Sequence, residues 1–295
     1  MDIKQLYYFC TIVSEGQITK AAAKLHMAQP PLSQQLKQLE SELGVVLFER
    51  KGRKLLLTDS GKALYENSQK LLSDLEDIKM KVKEINEGIR GKLSIGVSKT
   101  CFSYLPERIQ FFRAEYPEVL FHIIEGDTAQ ICDLLMDRSI EVAITRFPID
   151  HEHFAMKAFK NEPYVLIIPK TWKHLLSNEH KITLEDVQQF PLMLLHRIHG
   201  TGQYEIITKA FKDQHLNPHI ILECPDVSIL FLLANSEIGA TIVPLGAIEN
   251  ISHDNLHVVE ITDANIHSES GIIWLKDRHL SKCTQLFIES FDSYY

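Results

Sequence analysis

QITKAAAKLHMAQPPLSQQLKQLESELGVVLFERKGRKLLLT, residues 17–58, is the stretch on which the fold turns. Ile18, Ala21, Ala22 and Leu25 recur at helical spacing, and the small alanines let a second helix cross closely. After a break at His26 to Gln29, Pro30 and Pro31 stand where a helix would begin. Proline presets a helical φ, and its missing N–H is not needed in the first turn. Leu32, Leu36, Leu39 and Leu43 make the expected buried stripe of that second helix. Its other face carries Gln29, Ser33, Gln34 and Lys37, three groups able to reach base edges and one cation for a phosphate. Leu47 and Phe48 follow as anchors. Arg50, Lys51, Arg53 and Lys54 then place four cations around Gly52, between two short strand-like runs. Such a hairpin suits the DNA backbone. Singly, an alanine-rich helix is ordinary core and a basic turn an ordinary solvated loop. In this order and at this spacing they specify a helix-turn-helix with a basic wing.

Thr19 to Ala23 (TKAAA), Gln29-Pro30 with Leu32-Ser33, Leu39-Glu40 with Leu43-Gly44, Leu47-Phe48-Glu49-Arg50 and Leu57-Thr58 with Gly61 together resemble the N-terminal signature of LysR-type transcriptional regulators. The resemblance is close over roughly the first 60 residues and looser but continuous to the C-terminus. It implies that the helix starting near Pro30 enters the major groove, with Thr19, Pro30 and Pro31 joining the recognition face, while the hairpin of Arg50, Arg53 and Lys54 touches the flanking backbone. Gln34 departs from the basic or aromatic residue common there, so the resemblance does not carry a guanine-reading contact over to it. The fold class implied is α+β and multidomain: an N-terminal winged helix-turn-helix, a long linker helix, then two α/β Rossmann-like subdomains resembling periplasmic solute-binding proteins.

A length of 295 residues with 45% hydrophobic and 24% charged content reads as an ordinary globular protein of two or three domains. No apolar run approaches the ~20 residues needed to cross a bilayer, and MDIKQLYYF lacks a secretion signal, so a cytoplasmic protein with no membrane partner is expected. Cys10, Cys101, Cys132, Cys224 and Cys283 lack any C-x-x-C spacing and read as reduced, mostly buried thiols. The net charge of −8 is unevenly spread. Residues 1–58 hold eight Lys/Arg against five Asp/Glu, residues 59–91 six against seven, and the remainder 17 against 27. A cationic head on an acidic body keeps nonspecific DNA affinity low and favours paired heads on the correct sequence.

Leu6, Phe9, Cys10 and Val13 predict a first helix packed under the other two. Thr58 is an N-cap, with Asp59 in the first turn of a long helix. There Leu64, Leu71, Leu75, Ile78, Val82, Ile85 and Ile89 follow steps of seven, four, three, four, three and four. That is a coiled-coil seam for dimerisation, the alternative being a surface helix lying on its own domain. Two heads at a fixed separation can read two half-sites of double-stranded DNA. The resemblance implies antiparallel linker helices, a homodimer and further a homotetramer, with RNA polymerase as a partner. The domains expected are 1–58 for the head, 59–91 for the linker and 92–295 for effector binding. Within the last, subdomain I is 92–161 with 267–295 and subdomain II is 162–266. Gly88, Arg90 and Gly91 would form the hinge after the linker.

From Lys92, β-branched runs (KLSIGV, VLFHII, VAIT, then YVLIIP, LMLL, HIILE, ATIVP and GIIWL) alternate with helical stretches, as expected of mostly parallel sheets wrapped by helices. Ligands of such sheets sit beyond the strands' carboxyl ends. By resemblance, Ser98, Thr100, Thr128, Arg146 and the turn His199, Gly200, Thr201 and Gly202 occupy effector-contact positions. Hydroxyls, helix-start amides and an arginine donate to oxygen anions, so a small carboxylate-bearing effector is expected, with no cofactor. Ser and Thr could instead merely cap helices, and Arg146 could pair with a neighbouring acid. HRIHGTG lacks the lysine of a phosphate loop. The pairs His151/His153 and His196/His199 have no Cys or acidic partner at metal-ligand spacing, so no metal is expected. No nucleophile elbow or paired catalytic carboxylates occur, so no enzyme is expected. The alternatives are a metal- or thiol-responsive regulator of the same build, a solute-binding protein, or an enzyme with an accessory helical domain.

Overall fold

Helix α1 (Ile3–Glu15) begins at Asp2, whose carboxylate accepts from the Gln5 N–H at 2.8 Å while the Gln5 side chain accepts from the Asp2 N–H. This reciprocal cap satisfies two donors that a helix start leaves open. α1 ends at Gly16, whose φ of 65° is a left-handed conformation that a side chain would strain. Helices α2 (Ile18–Lys24) and α3 (Gln29–Leu43) follow, α3 with Pro30 and Pro31 in its first turn. An antiparallel hairpin of β1 (Phe48–Lys51) and β2 (Lys54–Leu57) leads into α4 (Asp59–Glu87). In this computed structural model the described residues are 1–51, 54–87, 89–149, 152–197, 202–249, 254–264 and 266–292. Among these, the side chains of 50, 51, 54, 76, 77, 80, 81 and 83–87 are left undescribed. The chain divides into two compact units, Met1–Glu87 and Gly88–Tyr295.

The first unit closes around Phe9, Ile12, Ala21, Ala22, Leu32, Leu36, Leu39, Leu47 and Phe48, with the Phe9 and Phe48 rings 5.5 Å apart. Leu43 does not join the stripe: it is the last residue before Gly44 turns the chain away, and it is exposed. A chain of polar contacts ties the wing to both flanking helices. Glu40 Oε1 accepts from the Leu47 N–H at 2.8 Å, the Leu47 carbonyl accepts from the Thr58 N–H at 3.0 Å, and Thr58 Oγ1 accepts from the Gly61 N–H at 3.0 Å. Thr58 is therefore a cap for α4, as its sequence position suggested. Gly61 is there for close approach, since a Cβ would lie 2.2 Å from the Leu47 carbonyl oxygen. On α4, Leu71, Ile78 and Val82 are exposed and Leu75 half-buried, whereas Leu64 packs against the head's core. Leu64 therefore belongs to the head rather than to a seam. The Ile85 side chain is outside the described set. Ile89 lies beyond the end of α4 and packs against the first α/β core, so it too leaves the seam.

The second unit runs β3 (Gly91–Val97), α5 (Leu105–Glu115), β4 (Val119–Glu125), α6 (Thr128–Met136), β5 (Val142–Arg146), β6 (Phe154–Ala158), β7 (Glu162–Pro169), β8 (Lys181–Ile182), α7 (Leu184–Val187), β9 (Leu192–Leu195), α8 (Gln203–Asp213), β10 (Ile220–Cys224), α9 (Val227–Asn235), β11 (Ala240–Pro244), β12 (Leu256–Ile261), β13 (His267–Ser268), β14 (Ser270–Leu275) and α10 (Lys282–Glu289). Strands β4-β3-β5-β14-β6 form a five-stranded sheet, and β10-β9-β11-β7-β12-β8 with β13 on β7 a seven-stranded one. Of the expected hinge residues, Gly91 opens β3, paired with Val119, and Gly88 lies outside the described residues. Adjacent residues serve opposite faces of each sheet. Val142 and Ile144 enter one cluster and Ala143 another; Leu166 and Ile168 enter one and Val165 and Ile167 another. Burial on both faces is why these strands read as unbroken apolar runs.

The sheets are mixed, not mostly parallel. β3 is parallel to β4 and β5, but β14 runs antiparallel to β5 and β6; β9 is parallel to β10 and β11, but β7 runs antiparallel to β11 and β12. The reason is the crossing between lobes. β7 and β14 start where their neighbours end, Tyr164 opposite Pro244 and Ser270 opposite Arg146, so they point the other way. The return crossing comes two residues later than expected, at 269, because His267 and Ser268 still pair with β7.

Candidate functional site

The recognition face of α3 is open. Thr19, Gln29, Pro30, Pro31, Gln34 and Lys37 are exposed and Ser33 is half-buried, while Leu32, Leu36 and Leu39 hold the opposite side in the core. Arg50 and Lys54 lie in the two hairpin strands, Arg50 opposite Leu55 and Lys54 opposite Lys51. Arg53 lies outside the described residues.

In the second unit a cavity of about 300 Å³ lies where the strands of both sheets end. Ser98 follows β3, Asp127 and Thr128 start α6, and Arg146 ends β5; from the other sheet come Leu195 and Arg197 after β9, Gln203 at the start of α8, and Asp226 and Val227 at the start of α9. Three helix N-termini therefore meet one cavity, each offering the positive end of its peptide dipoles. Of the residues expected from the sequence, Ser98, Thr100, Thr128 and Arg146 line it. His199, Gly200 and Thr201 lie outside the described residues, and Gly202 N-caps α8 beside the lining residue Gln203. A Cβ at Gly202 would come within 2.7 to 2.9 Å of Arg197 Cδ, Cγ and Nε, so the glycine makes room for the Arg197 side chain.

The polar groups of the cavity are bonded to one another. Arg146, only 5% exposed, donates from Nε to Thr100 Oγ1 at 3.3 Å, from Nη1 to Ser268 Oγ at 3.0 Å, and from Nη2 to the Thr100 carbonyl at 2.6 Å and Glu162 Oε2 at 3.2 Å. Nη1 also lies 3.2 Å from Glu162 Oε1. Its N–H positions are engaged inside the protein, and among their partners is a neighbouring acid, the pairing offered above as the alternative for this residue. Glu162 in turn accepts from the Gly246 N–H and from the Tyr104 hydroxyl. Burial and that carboxylate raise the Tyr104 phenol well above its ordinary value. Thr128 and Thr145 hydroxyls bond at 2.9 Å. Ser98 Oγ is buried without a hydrogen-bond partner.

Lys99 spans the lobes. Its ammonium pairs with Asp226 of the second lobe and lies 3.2 Å from Glu125 of the first. The Asp226 hydrogen bond is foremost in raising the Lys99 ammonium above its ordinary value. Asp226 sits below its ordinary value because the bond from Lys99 and the N–H of Ser228 outweigh the upward push of desolvation. Arg197 behaves oppositely: burial lowers it, against the fields of Tyr164 and Asp127. Sequence reasoning missed Lys99, Arg197 and Asp226 as cavity residues. Arg197 was within reach, since it lies inside HRIHGTG. His196 also has acidic partners that its local spacing hid, with Nδ1 2.7 Å from Glu223 and Nε2 3.6 Å from Glu205. Among the described residues no group of three His, Cys, Asp or Glu could hold a metal ion.

The family profile for the LysR substrate binding domain matches residues 86–294, and that for the bacterial regulatory helix-turn-helix protein, lysR family, matches residues 3–62. The chain belongs to the LysR family of transcription regulators. This LysR protein is 36% identical over 292 residues to the HTH-type transcriptional regulator BsdA of Bacillus subtilis, covering 99% of this chain and 100% of the relative. It is 28% identical over 280 residues to AlsR of the same organism, covering 95% and 92%. Among solved structures, full-length CbnR complexed with its target DNA matches with a TM-score of 0.76 at 22% identity, covering 100% of both chains. A full-length, singly substituted OxyR from Pseudomonas aeruginosa matches with a TM-score of 0.73 at 21% identity, covering 98% of this chain and 97% of that one. The LysR protein is thus a DNA-binding transcription regulator, and its profiles and relatives are regulators rather than enzymes. Among the described residues no helix is long and apolar enough to cross a membrane.

Proposed function

We propose that this LysR protein reads a two-fold operator through paired α3 helices and that a small, carboxylate-bearing metabolite bound between its two α/β lobes sets how it does so. The observation that carries the reading is the cavity itself, walled by strand ends and helix starts from both sheets. A ligand that favours one disposition of the lobes over another shifts their equilibrium by its differential affinity and no more. No cofactor besides the effector enters this reading. Exposed Leu71, Ile78 and Val82 on α4 supply an apolar strip for a second copy, supporting a homodimer and, through the second unit, a homotetramer. It would act in the cytoplasm and pass its state to RNA polymerase.

Selecting genomic fragments bound by the full chain, and sequencing them, tests the reading. A shared two-fold motif is expected, and fragments bound without any motif overturn it. Gln29→Ala with Ser33→Ala should then bring operator affinity towards that for random duplex, at about 1–3 kcal/mol per lost base contact. Arg53→Ala should weaken binding to every sequence and lower the salt slope by about one. Thr100→Val should remove the ligand response and leave DNA affinity intact; an unaltered response takes Thr100 out of the site.

A further inference from the structure

We infer that Lys99 and Asp226 form a clasp across the free edge of the cleft, and that this one ion pair sets how readily the two lobes part. Its bearing on regulation rests on the reading that the cleft takes the effector; the clasp itself does not.

The chain passes into the second lobe at β7 and returns at β14, so those strands mark the line about which the lobes can turn. Strand order then ranks the cross-lobe contacts by their distance from that line. Arg146 ends β5, the neighbour of β14, and its partner Glu162 opens β7 itself. Tyr104 bonds to the same carboxylate, and Arg197 donates from Nη2 to the Arg146 carbonyl at 3.4 Å. These contacts gather beside the hinge. Lys99 instead follows β3, two strands from β14, and Asp226 follows β10, three strands from β7. At the ~4.8 Å spacing of paired strands those offsets are roughly 10 and 14 Å. A bond beside the turning line barely resists rotation about it, whereas a bond at the far edge is stretched by the whole swing. The cavity is walled by both sets, by Arg146 near the hinge and by Lys99 with Asp226 at the edge.

The chemistry of the pair suits that place. Lys99 has two carboxylates within reach, Glu125 of its own lobe at 3.2 Å and Asp226 of the other. The cross-lobe bond is the stronger of the two in raising the ammonium above its ordinary value. Asp226 is itself fixed, because its carboxylate caps α9 by accepting from the Ser228 N–H at 2.8 Å. On the other side Lys99 stands between Ser98 and Thr100, both buried, so its backbone is anchored too. The two side chains are only 28% and 27% exposed, and salt screens such a pair less than one on an open surface. A ligand's apparent affinity scales with the fraction of molecules already in the disposition it fits. By holding the lobes together, the clasp raises that fraction for any ligand gripped from both sides, whatever its chemistry.

The test is hydrogen–deuterium exchange with mass spectrometry on the full chain, read in the lobe opposite each substitution. Lys99→Met keeps the long stem and removes the charge; Asp226→Asn keeps the shape and an acceptor for the Ser228 N–H. Circular dichroism checks that each folds, and either one suffices should the other fail. In Lys99→Met the amides of Val227–Asn235 should exchange about fivefold faster, and in Asp226→Asn those of 100–104 likewise, as expected when a local opening loses one charge-assisted bond. The double variant should be no faster than the single ones, since both cut the same bond. Glu125→Gln removes only the partner within the first lobe and should leave α9 within twofold of the parent. Changes confined to the substituted lobe would overturn the clasp. So would a double variant whose effect is the product of the two, or a Glu125→Gln effect on α9 equal to that of Lys99→Met. None of these measurements uses a ligand, so their failure leaves the cleft reading standing, and failure of the Thr100→Val prediction leaves the clasp standing.

Discussion

Glu162 is the carboxylate on which Arg146, Tyr104 and the Gly246 N–H converge. Glu162→Gln keeps the shape and removes the charge, leaving a buried guanidinium without its counter-ion. We expect the second unit to lose about 3–5 kcal/mol, read by chemical denaturation. A loss below about 1 kcal/mol would show that Arg146 is held by its hydroxyl and carbonyl partners instead. Gly61→Ala in the head drives a methyl into the Leu47 carbonyl and should cost about 1–3 kcal/mol in the head's unfolding transition. The Cys10 thiol, pushed up by burial to about 11, should resist iodoacetamide at pH 8, where only about one thiol in a thousand is ionised. Rapid alkylation at Cys10 there would reopen a thiol-responsive reading. At this scale the sequence was informative about residue type and silent about partners. Arg146 was visible as a cation after a strand, but Thr100 and Ser268 lie 46 and 122 positions away, and only the fold brings them to it.

Elements were legible where a periodic pattern coincides with punctuation. α3 has both, with leucines at helical steps, prolines in its first turn and Gly44 at its end, and it forms within a residue of where the pattern puts it. α4 shows where periodicity alone misleads. Seven apolar residues share one spacing, yet Leu64 is claimed by the head's core and Ile89 by the first sheet, because spacing cannot distinguish a partner helix from the helix's own surroundings. Ile78→Lys with Val82→Lys therefore tests the part that remains, since both positions are exposed and neither supports the described cores. Sedimentation should show loss of the dimer at micromolar concentration with folding retained, and operator affinity should fall with it. An unchanged sedimentation coefficient would remove α4 as the pairing surface. Strand direction was the poorest guess, since a β-branched run reads the same in either orientation and β7 and β14 are reversed only by the lobe crossing.

At the scale of the molecule, the pairing of Lys99 with Asp226 makes the second unit's stability depend on pH at both extremes. Asp226 is held below its ordinary value near 3.8, so its contribution is complete above that pH and is lost as pH falls through the lower folded value. Lys99 is raised above 10.5, so its contribution is complete below that pH and disappears as pH climbs past the folded value. Between these limits the pair should hold the lobes together. Asp226→Asn should flatten the acid limb of the melting-temperature profile, and a limb of unchanged slope would assign it to other carboxylates. Residues 162–268 lie wholly inside the span of the lobe built from β3 to β6 and β14. They form a cassette whose two ends both stay within the host lobe, with no covalent route of their own to the N-terminal reader. Along the chain, whatever the cassette senses leaves it through its host. Exchanging it for the corresponding piece of a relative should transplant half of the ligand preference while the operator stays the same.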